Sequence, residues 1–189
     1  MMSIKISFKK NISENNIRNY ILFTDVNFKI RGLKNISLMK YSSEMNKMVA
    51  NFSLKDKNFL SFNINPSQKI ILLKLKDSNS SLENEKIGSE FYDYIEKNSI
   101  RESVFLEENV KELIKNNKQF LDEFFHGAQL KSYKFQKYKT KEKNKIFNIN
   151  VSIKKGSFNL SKNKRYDSLV QGINFTKDLV SEPGNILHP

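Results

Sequence analysis

The sequence predicts an α/β fold, a mixed sheet flanked by helices, and three observations carry that expectation. The stretch Lys69 to Leu75 is nearly continuous Ile and Leu, as in a strand buried on both faces. An amphipathic helix follows, with Ile87, Phe91, Tyr94 and Ile95 on one face, and then a second apolar run, Ile100 to Leu106. Strand, helix and strand at this spacing describe a crossover unit. The 189 residues, 38% of them hydrophobic, suffice for one sizeable core and are short for two.

Taken in order, Ile4 to Phe8 alternates polar and apolar residues and Tyr20 to Phe23 is a short apolar run, so both read as strands. Val49 to Leu54 and Phe59 to Ile64 flank the polar Lys55-Asp56-Lys57-Asn58 and read as a hairpin. Lys69 to Leu75 is placed at the centre of the sheet. Ser80 caps the next helix, Glu83 completes a capping box, and the helix runs to about Asn98. After the strand Ile100 to Leu106, the apolar positions Leu121, Phe124, Phe125, Ala128, Ser132 and Phe135 recur at helical spacing. Gly127 lies within that helix at a cost of about 1 kcal/mol against Ala, which implies close approach of another backbone. Ile146 to Ile153 alternates as a strand, ending in the turn Lys154-Lys155-Gly156-Ser157. A last helix, Arg165 to Val180, is expected to turn Tyr166, Leu169, Val170, Ile173 and Val180 inward and to stop before Pro183.

No apolar run approaches the roughly 18 residues needed to span a bilayer, and the amino terminus lacks the apolar centre of a secretory signal. With no cysteine, thiol catalysis, disulfides and thiolate zinc sites are excluded, and a cytoplasmic location without membrane attachment is expected. The net charge of +13 comes from 29 Lys and 4 Arg and is unevenly spread. Lys131 to Arg165 holds 12 basic residues and 1 acidic residue, a local net of +11. Within it, Lys131, Lys134, Lys137, Lys139, Lys141, Lys143 and Lys145 alternate with Tyr133, Phe135 and Tyr138, a pattern able to neutralise phosphates and stack on bases. The near absence of Arg argues for weak binding, since guanidinium forks supply the bidentate contacts.

Catalytic residues are scarce. The two histidines, His126 and His188, have no metal-ligand spacing between them. The neighbouring carboxylates Glu107-Glu108 and Asp122-Glu123 point to different sides of their element and read as solvated or first-turn helix charges. The six glycines are isolated, so no phosphate-cradling loop is present. From the residues alone, no catalytic, cofactor-binding or metal-binding position is assigned.

Two segments together resemble one family. The first is Glu123 to Thr140, with Gly127-Ala128, Leu130 and then Tyr133-x-Phe135-x-x-Tyr138-Lys139. The second is Gly172 to Pro189, with Asp178-Leu179-Val180, Pro183, Asn185 and Pro189. In order and spacing they resemble the leucine aminopeptidases, also called cytosol aminopeptidases. The likeness is good over 123–189 and weak over the rest. It departs at Lys177, where the family prefers Arg, at Ser181, where Asn is frequent, and at Ile70 to Lys76, which has no glycine where the family's strand runs into a Gly-rich turn.

The resemblance implies a macrodomain-like amino-terminal α/β domain over residues 1–140. A basic connection with a strand would cover 141–164, and a connecting helix that opens a truncated catalytic domain would cover 165–189. It also implies that the parent is a metalloaminopeptidase removing amino-terminal residues from peptides with two divalent ions, manganese or zinc. The metal ligands would lie in the missing catalytic domain, so this chain alone would be inactive. A structural role beside that domain, in a homohexamer, is what remains for it. Two other readings stay open: a nucleic-acid-binding α/β module using Lys131 to Lys145, and a macrodomain-like nucleotide binder that lacks its glycine loop.

Overall fold

The structure is a computed structural model that describes residues 3–10, 12–13, 16–33, 37–51, 58–76, 80–113, 119–138, 145–153, 160–184 and 186. Its strands are β1 Ile4–Lys10, β2 Asn19–Thr24, β3 Phe59–Asn65, β4 Gln68–Lys74, β5 Glu102–Leu106 and β6 Phe147–Ile153. The helices are α1 Ser42–Asn51, α2 Ser81–Lys97, α3 Glu107–Leu113, α4 Phe120–Lys131 and α5 Leu160–Ser181, with a 3-10 turn at Ser37–Tyr41 before α1. Six strands form one sheet in the order β1-β6-β5-β2-β4-β3. All neighbours run parallel except β3, which pairs antiparallel with β4 at the edge. The predicted α/β class, a mixed sheet flanked by helices, is the observed one.

Because side chains alternate across a strand, the apolar runs feed two cores. On one face Ile21, Phe23, Ile71, Leu73 and Phe105 meet Phe91 and Ile95 of α2 and Phe124 of α4. On the other, Tyr20, Leu22, Ile70, Leu72 and Val104 meet Leu38, Met45 and Val49 from the 3-10 turn and α1. Ile70 to Leu73 are fully buried, as a two-sided strand requires. The strand is interior but not central: β4 is one place in from the edge, and β5 and β2 hold the middle. The crossover β4-α2-β5 also steps over β2, which lies between its two strands.

Two further expectations are corrected. Val49 belongs to α1, and the partner of β3 is β4, so the hairpin lies one strand later than expected. Pro66-Ser67 makes its turn, where the Asn65 side chain accepts from the Ser67 amide at 3.0 Å and donates to Gln68 Oε1 at 2.8 Å. Val49 misled because a β-branched residue at helical spacing on a half-buried face looks the same as one in a short strand. Phe135 lies beyond α4, which ends at Lys131, and rests half-buried against Tyr138 instead. The turn at 154–157 lies outside the described residues.

Ser80 caps α2 in the predicted box: its hydroxyl accepts from the Glu83 amide at 3.3 Å while the Glu83 carboxylate accepts from the Ser80 amide at 2.8 Å. The helices α2 and α4 cross at paired glycines. A Cβ on Gly127 would lie 1.9 Å from the Glu85 carbonyl oxygen, and one on Gly88 would lie 1.8 Å from that of Phe124. Only hydrogen fits at either place, so the close backbone approach expected at Gly127 is present and is reciprocal.

Candidate functional site

The last helix, α5, lies outside the two cores, and polar contacts fasten it to α4 and to the segment that follows α4. Gln129 donates to Asp167 at 3.2 Å, the Tyr133 hydroxyl donates to Asp178 at 2.8 Å, and Lys177 donates to the Leu130 carbonyl at 3.3 Å. The Lys177 ammonium also stands over the Tyr133 ring, 5.2 Å from its centroid. Below the helix end, Glu182 accepts from both Lys137 and the Tyr138 hydroxyl. Lys137 and then Tyr138 hold the Glu182 carboxyl below the usual carboxylate range. In return, the bond to Glu182 is the main cause that raises both Lys137 and Tyr138. Burial and then the bond to Asp178 push the Tyr133 phenol up.

The outer face of α5 is the reverse of a solvated helix. From Ser168 to Val180 the only charged residues are Lys177 and Asp178, and both are half-buried against α4 and its C-terminal extension. The face toward water carries Leu169, Gly172, Phe175, Thr176, Leu179 and Val180, with Phe175 64% and Val180 82% exposed, beside the uncharged Ser168 and Gln171, which are exposed too. At 100° per residue the first six of these positions fall within one arc of about 140°. Of the side chains expected to turn inward, Val170 is fully buried and Tyr166 and Ile173 are partly buried, but Leu169 and Val180 face out. Apolar residues surround this helix, so periodicity alone left its two faces ambiguous. The uncharged run around Phe175 and Thr176 was the available signal, because a solvated helix face of this length ordinarily carries charge.

The other candidate residues disperse. His126 is buried on α4, its Nδ1 2.9 Å from Glu85 Oε1 and its ring centroid 4.9 Å from that of Tyr166. His188 lies outside the described residues. Glu107 and Glu108 do open a helix, α3, and Asp122 and Glu123 sit in the first turn of α4. They are not solvated charges, however: Glu107, Asp122 and Glu123 are all buried. Glu107 pairs with Lys111 at 2.8 Å, and Glu123 accepts from Ser81 and from Asn84, each at 2.6 Å, tying α4 to the start of α2. Burial, and then the carboxylates of Glu123, Asp122 and Glu85, push the Tyr166 phenol up. Among the described residues no three His, Asp or Glu side chains converge on a position that could hold a metal ion.

Three lysines of the basic segment are engaged within the fold, whereas Lys145 is exposed. Lys131 pairs with Asp93 at 3.0 Å, Lys134 with Glu96, and Lys137 with Glu182. Tyr133 and Tyr138 both donate to carboxylates, as above; Lys177 stands over the Tyr133 ring, while Tyr138 is 50% exposed. Lys139, Lys141 and Lys143 lie outside the described residues. No described helix is long and apolar enough to cross a membrane.

No known protein-family model matches the chain. Over 67 residues, a third of the chain, it is 34% identical to a probable cytosol aminopeptidase of Rhodopseudomonas palustris (strain BisA53). Over 70 residues it is 43% identical to a probable cytosol aminopeptidase of Phytoplasma mali (strain AT). Each match spans 14% of the relative's length. Among solved structures, a mutant of tomato leucine aminopeptidase superposes with a TM-score of 0.68 at 21% identity. That likeness covers 99% of this chain and 40% of the tomato chain.

Proposed function

Because this chain belongs to the leucine aminopeptidase family, we propose that it is the non-catalytic amino-terminal portion of a metal-dependent leucyl aminopeptidase. The parent would remove amino-terminal residues from peptides in the cytoplasm. In this reading residues 1–140 belong to the α/β domain, together with β6 from the expected 141–164 connection, since β6 stands between β1 and β5 in its sheet, and 165–189 would lead into the catalytic domain. The observation that carries this reading is the C-terminal part of α5, Ser168 to Val180, whose two charged residues, Lys177 and Asp178, are half-buried against α4 and the segment after it and whose Leu169, Phe175, Leu179 and Val180 turn outward. A contiguous apolar helix face on a chain spanning 40% of its structural relative fits a surface that the remaining part of the protein covers. The two divalent ions, manganese or zinc, that such an enzyme uses do not fit the donors described here, so no step of hydrolysis is assigned to this chain. Its role is structural: packing beside the catalytic domain and supporting the hexamer.

Two measurements test this. The purified chain should not hydrolyse an aminoacyl anilide with added manganese or zinc, and metal-dependent turnover that survives repurification would overturn the reading. The chain should also bind the separately expressed catalytic portion of the Phytoplasma mali relative. Phe175→Asp or Val180→Asp should abolish that binding while changing the chain's own stability by no more than about 0.5 kcal/mol, as for other exposed sites. Undiminished binding by both variants would remove α5 as the docking face.

A further inference from the structure

The sheet ends in β1 on one side and β3 on the other, and among the described residues neither carries a strand along its outer edge. The two edges differ in charge. From Phe59 to Asn65, β3 has no ionisable side chain, whereas β1 carries Lys5, Lys9 and Lys10 and no acid. All three lysines are exposed, and none has an ion-pair partner among the described residues. β1 runs parallel to β6 with Ile4 beside Phe147, whose N–H donates to the Ser3 carbonyl at 2.8 Å. In a parallel ladder this register sets the main-chain groups of Lys5 and Ser7 toward β6. It turns the N–H and C=O of Ile4 and Ile6 outward, where a further strand would bond.

A cavity lies beside this edge. Ile6 and Phe8 turn to the face covered by α4, and with Phe125 of α4 and Tyr166 of α5 they line a space of about 240 Å³. The rings of Phe8 and Phe125 meet edge to face, 6.4 Å between centroids. The space is smaller than the roughly 300–1,000 Å³ of small-molecule sites and suits one large side chain. Asp122 and Asp167, against the single cation Lys164, also line it and keep a carboxylate out. Lys5, Ser7 and Lys9 stand on the opposite face of the strand. A strand laid along β1 would therefore send alternate side chains to the cavity and the others to the lysines.

We propose that the outer edge of β1 binds an extended polypeptide segment in which acidic and apolar residues alternate, adding it to the sheet as a further strand. The outward main-chain groups of Ile4 and Ile6 hold it, the cavity takes an apolar side chain, and Lys5 and Lys9 face the acidic ones. A second copy of β1 does not fit, because antiparallel pairing about Ser7 would set Lys5 against Lys9 at both ends. A nucleic acid would use the lysines but neither the outward main-chain groups nor the cavity. The outward face of α5 is not part of this surface, so this inference and the aminopeptidase reading can fail separately.

Titrate the 189-residue chain with the end-blocked heptapeptide Glu-Phe-Glu-Ile-Glu-Phe-Glu. Compare its fully N-methylated form, the scrambled Glu-Glu-Phe-Phe-Ile-Glu-Glu, the counterpart with Lys for Glu, and an oligouridylate of equal charge. Follow heat and the amide resonances of Ile6 and Phe62, on the two edges. The alternating acidic peptide should bind and move Ile6 but not Phe62. The N-methylated form, which has no amide donors, should bind at least about tenfold more weakly. Lys5→Glu combined with Lys9→Glu, checked by circular dichroism, should reverse the preference in favour of the lysine peptide. The proposal fails if the acidic peptide does not bind at millimolar concentration, or if the scrambled or N-methylated peptide or the oligouridylate moves Ile6 equally well. It fails also if Phe62 moves in place of Ile6, or if the charge-reversed variant still prefers the acidic peptide.

Discussion

At single positions, the least negotiable contacts are those where two backbones meet. The carbonyl oxygens that face Gly88 and Gly127 belong to helices fixed by the buried cluster of Phe91, Phe105, Phe124 and Phe125, so neither backbone can yield cheaply. Gly127→Ala should therefore destabilise the chain by about 2–3 kcal/mol, seen as a lower urea midpoint with unchanged slope. Gly172 is the control, because nothing lies within 4 Å of a Cβ placed on it. Gly172→Ala should raise the midpoint, a stabilisation of up to about 1 kcal/mol from the ordinary helix preference for Ala. Equal effects of the two substitutions would mean that α2 and α4 do not touch at Gly127.

Among the elements, α5 depends most on side-chain bonds, and its last turn depends on ionisation. The folded pKa of Glu182 is depressed by Lys137 and Tyr138. Its contribution is thus present above the ordinary carboxylate pKa and is lost as pH falls through the depressed value. Lys137 and Tyr138 are shifted upward by Glu182, so their contribution is present below their ordinary values, near pH ~10, and is lost as pH rises through the raised ones. Amide protection at Leu179 to Glu182, corrected for intrinsic exchange, should be highest between about pH 5 and pH 9 and fall on both sides. In Glu182→Gln the acid-side fall should vanish. Protection that stays level as the pH falls through the carboxylate range would mean that Glu182 does not hold the last turn.

For the whole molecule, the +13 net charge is the property most open to misreading. Lys131, Lys134 and Lys137 are spent on Asp93, Glu96 and Glu182, holding α4 and the segment after it to α2 and to the end of α5. Exposed lysines elsewhere still generate a field, which attracts polyanions without reading their sequence. Binding of DNA or RNA should therefore be weak, indifferent to sequence and log-linear in salt, and replacing Lys139, Lys141, Lys143 and Lys145 by Gln should remove most of it. Sequence-selective binding at sub-micromolar concentration in physiological salt would make a nucleic-acid module the better reading.

The α/β class, the capping box at Ser80 and Glu83, the two-sided strand at Ile70 to Leu73 and the close approach at Gly127 were all legible in the sequence. Each is fixed by a few neighbouring residues: a hydroxyl three residues from a carboxylate, an apolar run too long for one face, a glycine where alanine would serve a lone helix better. What the sequence left open were relations between distant segments. The pairing of β3 with β4 was decided by the sheet, since an edge strand pairs with whichever neighbour the core leaves exposed. The outward face of α5 was decided by α4 and the segment after it, whose Leu130 and Tyr133 hold Lys177 and Asp178 half-buried, with Gln129 bonded to Asp167, and so leave Phe175 toward water. The cavity beside β1 exists only because α4 and the start of α5, far later in the chain, stand over Ile6 and Phe8. Local chemistry determines which elements form; which of their surfaces remain uncovered depends on long-range packing, which local patterns do not encode.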